Sequence, residues 1–460
     1  MMQFLPVILY IILPGLFATD PLSSNSDSSS PNQVKLIIFL FFFGFFVLLS
    51  VAIFIIRKYL KGKANARSSA IQYTEVTGEE PCISINVPSQ TKAKNLGSPR
   101  PDLLSRLLKN QIDYDDYKHK FEIDPANLQV SKKEHLGEGQ FGAVELGKLK
   151  NGVGSLKVAV KRSKKSHDPD ERELFLAELT VMCALEKHPN LLCLVGGVTS
   201  SEPNRIVLEY IEGGDLQQYM VDSRKRFKDI KSWIEADSKT RNSEKFSNQQ
   251  ISLTSDLKGL STFDLISFAY QIASGMKYLA SVPCVHRDLA LRNILIDSDG
   301  TVRIGDFGLS RKYMDKAYYR PEHEGKEIGR PWLWMAPEAY KMNKFTEKTD
   351  IFSYGVCLYE LFSLGRDPIV NDIWRPFWEK SEYLPFPDYS TARIYEHMKM
   401  CWKTDPNARP NFAWCSDIFK GELKNCSDKI FYDVEGRLEN VRQQHRKLES
   451  WVANDQSFSE

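Results

Sequence analysis

The chain has 460 residues, too many for one small core and suited to one large domain with appendages. Its 61 basic and 59 acidic residues nearly cancel, leaving a formal net charge of +2. That balance excludes the global basic excess of a nucleic-acid binder, so no nucleic-acid partner is expected.

Two apolar stretches stand near the N-terminus. Phe4 to Ala18 reads as a signal-peptide core, giving a signal peptide over 1–18 and a short outer segment over 19–35. No Lys or Arg precedes this run and Leu16 is a poor residue three positions before the cut, so an uncleaved anchor is the competing reading. The second stretch, LIIFLFFFGFFVLLSVAIFII, carries no charge and has the roughly 20 residues needed to cross a bilayer. It predicts a single transmembrane helix over 36–56. Arg57, Lys58, Lys61 and Lys63 follow it, and only Lys35 stands beside its other end. The excess of cations places everything after Ile56 in the cytoplasm, a type I arrangement in the cell membrane. The outer segment is Ser-rich, has no cysteine and no N-glycosylation sequon, and is too short for a ligand-binding core.

Residues 57–127 are polar and marked by proline, as in NVPSQTKAKNLGSPRPD, and read as a juxtamembrane linker. Tyr114 and Tyr117 lie in its acidic run IDYDDY, as phosphorylatable tyrosines or as ordinary solvated surface. The folded domain is expected over 128–420. LQV, GAVELGKL and LKVAVKR alternate like antiparallel strands, the last two joined at Asn151-Gly152. Residues 170–187 have helical spacing, with Leu176, Leu179 and Val181 among the apolar positions, and Ile206 to Tyr210 reads as a strand.

Beyond Asp215 the pattern is mostly helical. Phe263 to Ala280 is a long amphipathic helix, and Ser353 to Leu364 a buried one that carries Glu360. Residues 221–260 are charged and poor in bulky apolar groups, which predicts an insert looped out of the helical lobe. In the tail, 421–460, Val434, Leu438, Val441, Leu448 and Trp451 form an irregular amphipathic stripe expected to pack on the lower lobe. Tyr432 is the tail's only tyrosine. All eight cysteines follow the apolar span, on the reducing side, and their spacing fits no zinc site, so they read as buried thiols.

The chemistry is concentrated in four places. LGEGQFGAV holds Gly137, Gly139, Gly142 and Val144 between two strands rather than between a strand and a helix. That arrangement suits a flap over ATP phosphates, with Val144 against the adenine. Lys161, closing VAVK, would reach the α and β phosphates and needs a carboxylate partner on the following helix. Glu178 is the expected one, with Glu171 and Glu173 nearby. In HRDLALRN, Asp288 would take or orient the proton of an incoming hydroxyl, Asn293 would hold a magnesium ion, and His286 and Arg287 would brace the loop. Asp306 of DFG is the second expected metal ligand, with Gly308 permitting the turn after it. Hard oxygen donors of this kind suit Mg2+.

HRD, an asparagine five residues beyond its Asp, DFG, and APE at Ala336 to Glu338, in that order, resemble the protein kinase family over about 128–420. The resemblance implies an α+β, bilobal protein kinase fold: a small, mainly β upper lobe with one helix and a larger, mainly α lower lobe, preceded by the transmembrane helix. HRDLALRN looks like the tyrosine-kinase form of the catalytic loop, in which Arg292 would place a tyrosine's phenol. LEYIEGGDL looks like the hinge, with Leu208 at the back of the adenine pocket and Glu209 and Ile211 offering backbone groups. Leu136 and Ala159 join the implied ATP site. Asp350 matches the residue that braces the catalytic loop, and Glu338 and Arg409 a buried ion pair. CWKTDPNARPNF matches the closing motif.

Tyr318 and Tyr319, with Tyr313, resemble the autophosphorylation sites of receptor tyrosine kinases, with Arg287 and Arg311 as cations for a phosphate. The single span and minute outer segment look like the short nematode receptor-like tyrosine kinases. The implied cofactors are ATP and Mg2+. The implied partners are tyrosine-bearing protein substrates, the lipid bilayer through one span, and a dimer partner or co-receptor in the membrane. Trp332 and Leu333, Phe352, and the stretch RDPIVNDIWRPFWEK depart from the family pattern, which puts the shape of the substrate pocket in question. The competing function is a membrane-anchored pseudokinase-type scaffold. Intact Lys161, Asp288, Asn293 and Asp306 argue against it.

Overall fold

The computed structural model describes residues 114–139, 142–152, 154–163, 168–236, 260–282, 284–307, 331–369, 376–379 and 383–456. All of them belong to one compact unit, Lys94–Glu460. The readings over 1–56, most of the linker, and Gly308, Arg311, Tyr313, Tyr318 and Tyr319 lie outside the described residues. Among the described residues no helix is long and apolar enough to cross a membrane.

The chain enters the fold earlier than Leu128. Helix α1 (Asp115–Phe121) follows Tyr114, whose ring is buried at 4% exposure among Phe175, Leu179 and Met182. The Tyr114 hydroxyl donates to Glu122 Oε2 at 2.8 Å. Glu122 also accepts from Thr199 N, Thr199 Oγ1 and Ser200 N. Burial pushes the Glu122 acid up, but these donors outweigh it and hold it below the usual carboxylate range. Tyr114 is therefore part of the core, not a solvated linker tyrosine.

Five strands form the upper sheet: β1 (Leu128–Gly139), β2 (Gly142–Asn151), β3 (Gly154–Arg162), β4 (Leu194–Val198) and β5 (Arg205–Glu209), antiparallel in the order β1-β2-β3-β5-β4. Alternation in VAVK divides the two faces. Val158 and Val160 join Leu149 and Val207 in one buried cluster. Ala159 and Lys161 face the other way, where helix α2 (Pro169–Ala184) packs through Phe175 and Leu179. The glycine pair Gly196-Gly197 hides β4 in the sequence, and the structure explains it. A Cβ on Gly196 would lie 2.6 Å from Ile123 Cδ1, and one on Gly197 2.8 Å from Leu179 Cδ2.

The lower lobe begins with α3 (Leu216–Ser223), capped by Asp215, whose side chain accepts Gln218 N. The predicted insert is shorter than 221–260. Residues 221–236 complete α3 and add α4 (Lys231–Glu235), with Ile234 buried, Phe227 edge-on to Tyr389 and Trp233 edge-on to Phe263. These few aromatic anchors outweigh the charged residues between them. Residues 237–259 lie outside the described residues.

Helix α5 (Thr262–Ser281) starts at a capping box of Ser261 and Asp264, and is followed by the ribbon of β6 (Ile294–Ile296) and β7 (Val302–Ile304). Next come α6 (Pro337–Met342), α7 (Glu347–Phe362), α8 (Ala392–Cys401) and α9 (Phe412–Cys426). Helix α7 is buried on every side from Thr349 onward, which is why its sequence shows no polar face. The tail is one helix, α10 (Asp428–Gln456). Its first half packs on the lower lobe as expected, and its second half continues onto the upper sheet, where Leu448, Trp451 and Val452 join the cluster of Val158 and Val160. The seven described cysteines are buried and form no disulfide with one another.

Candidate active site

The glycine-rich turn joins β1 to β2, with Gly137 opposite Val144 and Gly139 opposite Gly142. Among the described residues a Cβ on Gly137 would meet nothing within 4 Å. Gly142 differs: a Cβ there would sit 2.4 Å from Arg162 O on β3. Its glycine serves strand packing. Leu136 is 42% exposed at the mouth of this flap. Register carries the site inward, since Val144 pairs with Lys161, Lys161 with Ile206, and Ala159 with Leu208. Leu208 and Ile211 are buried below them.

Lys161 Nζ lies 2.6 and 2.8 Å from the two oxygens of Glu178 and 3.1 Å from Asp306 Oδ1. Glu178 is buried on α2 while Glu173 is exposed, which decides between the candidates. Burial works against charge on Lys161, but Asp306 and Glu178 outweigh it and hold the ammonium well above the usual lysine range. Glu178 is pushed up by burial and by Asp306, and Lys161 pulls against that rise.

The catalytic loop is held from beneath. Asp350, on α7, accepts His286 N at 2.7 Å and Arg287 N at 2.9 Å. Those bonds secure Arg287 at φ 70°, a left-handed conformation that costs about 1 kcal/mol or more for a non-glycine residue. Burial raises the Asp350 acid to about 6, against the opposing pull of His286 and Arg287. His286 Nε2 lies 3.0 Å from Gly305 O, and its ring meets Phe307 at 5.5 Å, tying HRD to DFG. Asp306 itself sits at φ 61°.

Asp288 presents its carboxylate between two donors. Arg292 donates to Oδ1 at 2.5 Å, and Asn293 Nδ2 to Oδ2 at 2.8 Å and to the Asp288 carbonyl at 2.7 Å. With its nitrogen committed there, Asn293 turns its amide oxygen the other way. That oxygen and the Asp306 carboxylate are hard donors that fit magnesium, which takes few protein ligands and completes its shell with phosphates and water. Arg292 also lies over Trp334, 4.4 Å from the ring. Trp334 Nε1 donates to Glu360 Oε2 at 2.8 Å, and Leu291 N donates to the same oxygen at 3.2 Å. Glu360 was visible in the sequence only as a lone acid in an apolar helix; here it links the catalytic loop to Trp334.

Arg409 grips Glu338 with two bonds of 2.5 and 2.9 Å and also donates to the carbonyls of Lys403 and Lys348. Glu209, at the end of β5, has its N–H committed to Cys193 O at 3.0 Å, so toward adenine it has its carbonyl to offer. Its side chain is engaged with Cys193 N, Arg303 and His445, of which the last two carried no signal in the sequence. The structure thus brings Lys161, Glu178, Asp288, Arg292, Asn293 and Asp306 to one cleft; the tyrosines of the activation segment lie outside the described residues.

The protein tyrosine and serine/threonine kinase family matches residues 130–419. The chain is 38% identical to the tyrosine-protein kinase receptor old-1 of Caenorhabditis elegans, over 79% of this chain and 72% of that protein. It is 36% identical to the receptor-like tyrosine-protein kinase kin-15 of the same organism, over 77% and 76%. To human platelet-derived growth factor receptor alpha it is 32% identical over 65% of this chain, which spans 34% of that receptor.

Proposed function

Because the chain belongs to the protein tyrosine and serine/threonine kinase family, we propose that this cleft transfers the γ-phosphoryl group of ATP to tyrosine hydroxyls of proteins, as a receptor-like tyrosine kinase. The observation that carries the reading is Asp288, whose carboxylate is fixed between Arg292 and Asn293 on a loop braced by Asp350. The phenol oxygen bonds to the γ-phosphorus, the bond to the β,γ-bridging oxygen breaks and ADP leaves, and Asp288 receives the phenol proton. Lys161, kept charged by Glu178, orients the α and β phosphates. Asn293 and Asp306 would hold magnesium, which would offset the phosphate charge. Arg292, spanning Asp288 and the Trp334 ring, forms a flat cationic platform for the incoming phenol.

We propose that the protein is a single-pass cell-membrane protein with the kinase domain in the cytoplasm, supported by the uncharged run over 36–56 and the cations that follow it. Activation then proceeds through association in the membrane and autophosphorylation of Tyr318 and Tyr319, with Tyr313 a further site. The test compares the full-length chain with Asp288→Asn in the presence of ATP and magnesium, mapping phosphosites by mass spectrometry. Phosphotyrosine on the chain and on a generic tyrosine peptide, in the wild type alone, is the expected result. Phosphoserine alone, or equal labelling of both proteins, would overturn it.

A further inference from the structure

We infer that α10 is a strap joining the two lobes across the back of the hinge, and that His445 is its positioning residue, holding the adenine-facing strand through Glu209. The inference rests on the ATP site proposed above.

The helix has 29 residues, about 44 Å at 1.5 Å per residue, enough to reach from one lobe to the other. Its lower half is anchored by buried Phe431, Val434, Leu438 and Val441. Tyr270 on α5 donates to Glu435 Oε1 at 2.6 Å, and Arg437 donates to the Asp299 carbonyl between β6 and β7. The upper half is anchored elsewhere. Trp451 packs on the sheet cluster, and its carbonyl accepts Asn151 Nδ2 at 3.1 Å. Lys187, just beyond α2, donates to His445 O at 3.3 Å and pairs with Glu449 at 3.7 Å.

His445 lies between the two anchors. It is 4% exposed, with Nε2 3.3 Å from Glu209 Oε2. The other Glu209 oxygen accepts Cys193 N at 2.7 Å and lies 3.7 Å from Nε of Arg303, which is fully buried on β7. One carboxylate therefore ties the upper sheet, the lower-lobe ribbon and α10. Burial pushes the Glu209 acid up, yet His445, Arg303 and the Cys193 N–H hold it below the usual carboxylate range. Neighbouring His188 is pressed down to about 3 by burial and by Arg442 and His445, so it packs as a neutral ring on Tyr278.

The functional consequence follows from geometry. Glu209 directly follows Leu208 at the back of the adenine pocket, and Lys187 and His188 directly follow the helix that carries Glu178. Two lobes joined by a hinge move relative to each other by default. A helix fixed to both removes conformations that would otherwise have to be given up on binding, which raises nucleotide affinity by preorganisation. The strap therefore favours ATP binding rather than opposing it.

The test uses the full-length chain in detergent and measures ATP–magnesium affinity by calorimetry, with KM for ATP and kcat alongside. His445→Ala, and a chain ending at Asn440, are expected to weaken affinity at least about fivefold, the scale of an ordinary coupling between sites. The rise should appear in KM more than in kcat. His445→Gln, which keeps an N–H donor toward Glu209, should restore it. Arg446→Ala, which removes an exposed side chain paired only with Glu439, should leave affinity unchanged. Amide exchange at Cys193 to Glu209 should quicken in the first two while α5 and α7 stay protected. Affinity within about twofold of wild type in both His445→Ala and the shortened chain would reduce α10 to a cover. Higher activity in the shortened chain would make it a brake and overturn the proposal. A wild type that binds ATP but makes no phosphotyrosine would strike the enzymatic reading and leave the affinity comparison decisive. A wild type that binds no ATP would overturn both.

Discussion

Glu360 is an acid placed where burial opposes its charge. It is fully buried on α7, and its Oε2 accepts Trp334 Nε1 and Leu291 N. Burial raises its acid from 4.5 to about 7, against the pull of those donors and of Arg292. An acid whose folded value exceeds its unfolded value binds more protons folded than unfolded between the two. Stability therefore falls as pH rises from about 4.5 to about 7, by roughly 3 kcal/mol at 1.36 kcal/mol per pH unit. Glu360→Gln keeps an oxygen for Trp334 and Leu291 and cannot ionise. Its stability relative to wild type should thus improve by about 3 kcal/mol between pH 5 and pH 8. Asp350, raised to about 6, slopes the same way in both proteins and cancels in the comparison. Urea unfolding of both proteins at four pH values across that range measures the difference. Parallel curves would show that Glu360 ionises in the fold as readily as in the unfolded chain, and would refute the reasoning.

Three further outcomes test other parts of the fold. Arg409→Ala leaves Glu338 buried without its partner and strips a donor from three carbonyls; unfolding in urea should show a loss of about 3–5 kcal/mol, the usual cost of breaking a buried pair from one side. Tyr114→Phe should cost only about 1 kcal/mol, because Glu122 keeps its Thr199 and Ser200 donors. Phosphosite mapping after treatment with an added tyrosine kinase should find Tyr432, 65% exposed, labelled well before Tyr114.

What could be read in the sequence depended on how locally each feature is encoded. Asp288, Arg292 and Asn293 lie within one loop, so their chemistry shows as a motif, and the Lys161–Glu178 pair follows once a strand and the next helix are recognised. The first three strands and the two longest lower-lobe helices expected from periodicity are present, although β1 runs on to Gly139, well past LQV, and α7 begins at Glu347, ahead of Ser353. Features set by distant partners were not legible. Strand β4 lacks side chains at Gly196 and Gly197 because Ile123 and Leu179 occupy that space, and Tyr114 is buried because α2 meets it. The stripe of α10 was visible, but a stripe does not name its partner, and the reach to the upper sheet depends on length and on Trp451.

Packing accounts for Leu333 and Phe352 among the departures from the family pattern. Leu333 is fully buried, so a cation at that position would have to be desolvated, and an apolar residue follows from the burial itself. Phe352, smaller than the tryptophan expected there, is stacked on Phe377 at 5.5 Å and 12°, and Phe377 meets Trp402 edge-on at 5.2 Å. Phe377 belongs to the irregular stretch RDPIVNDIWRPFWEK, so one departure fills the volume another leaves. Its neighbour Trp378 donates to Met335 O at 2.9 Å and lies edge-on to Tyr340. The same short segment therefore also supports the loop that carries Trp334, the ring on which Arg292 rests. Substitutions in this stretch should act on the phenol platform through that support and leave Lys161, Glu178 and Asp306 as they are.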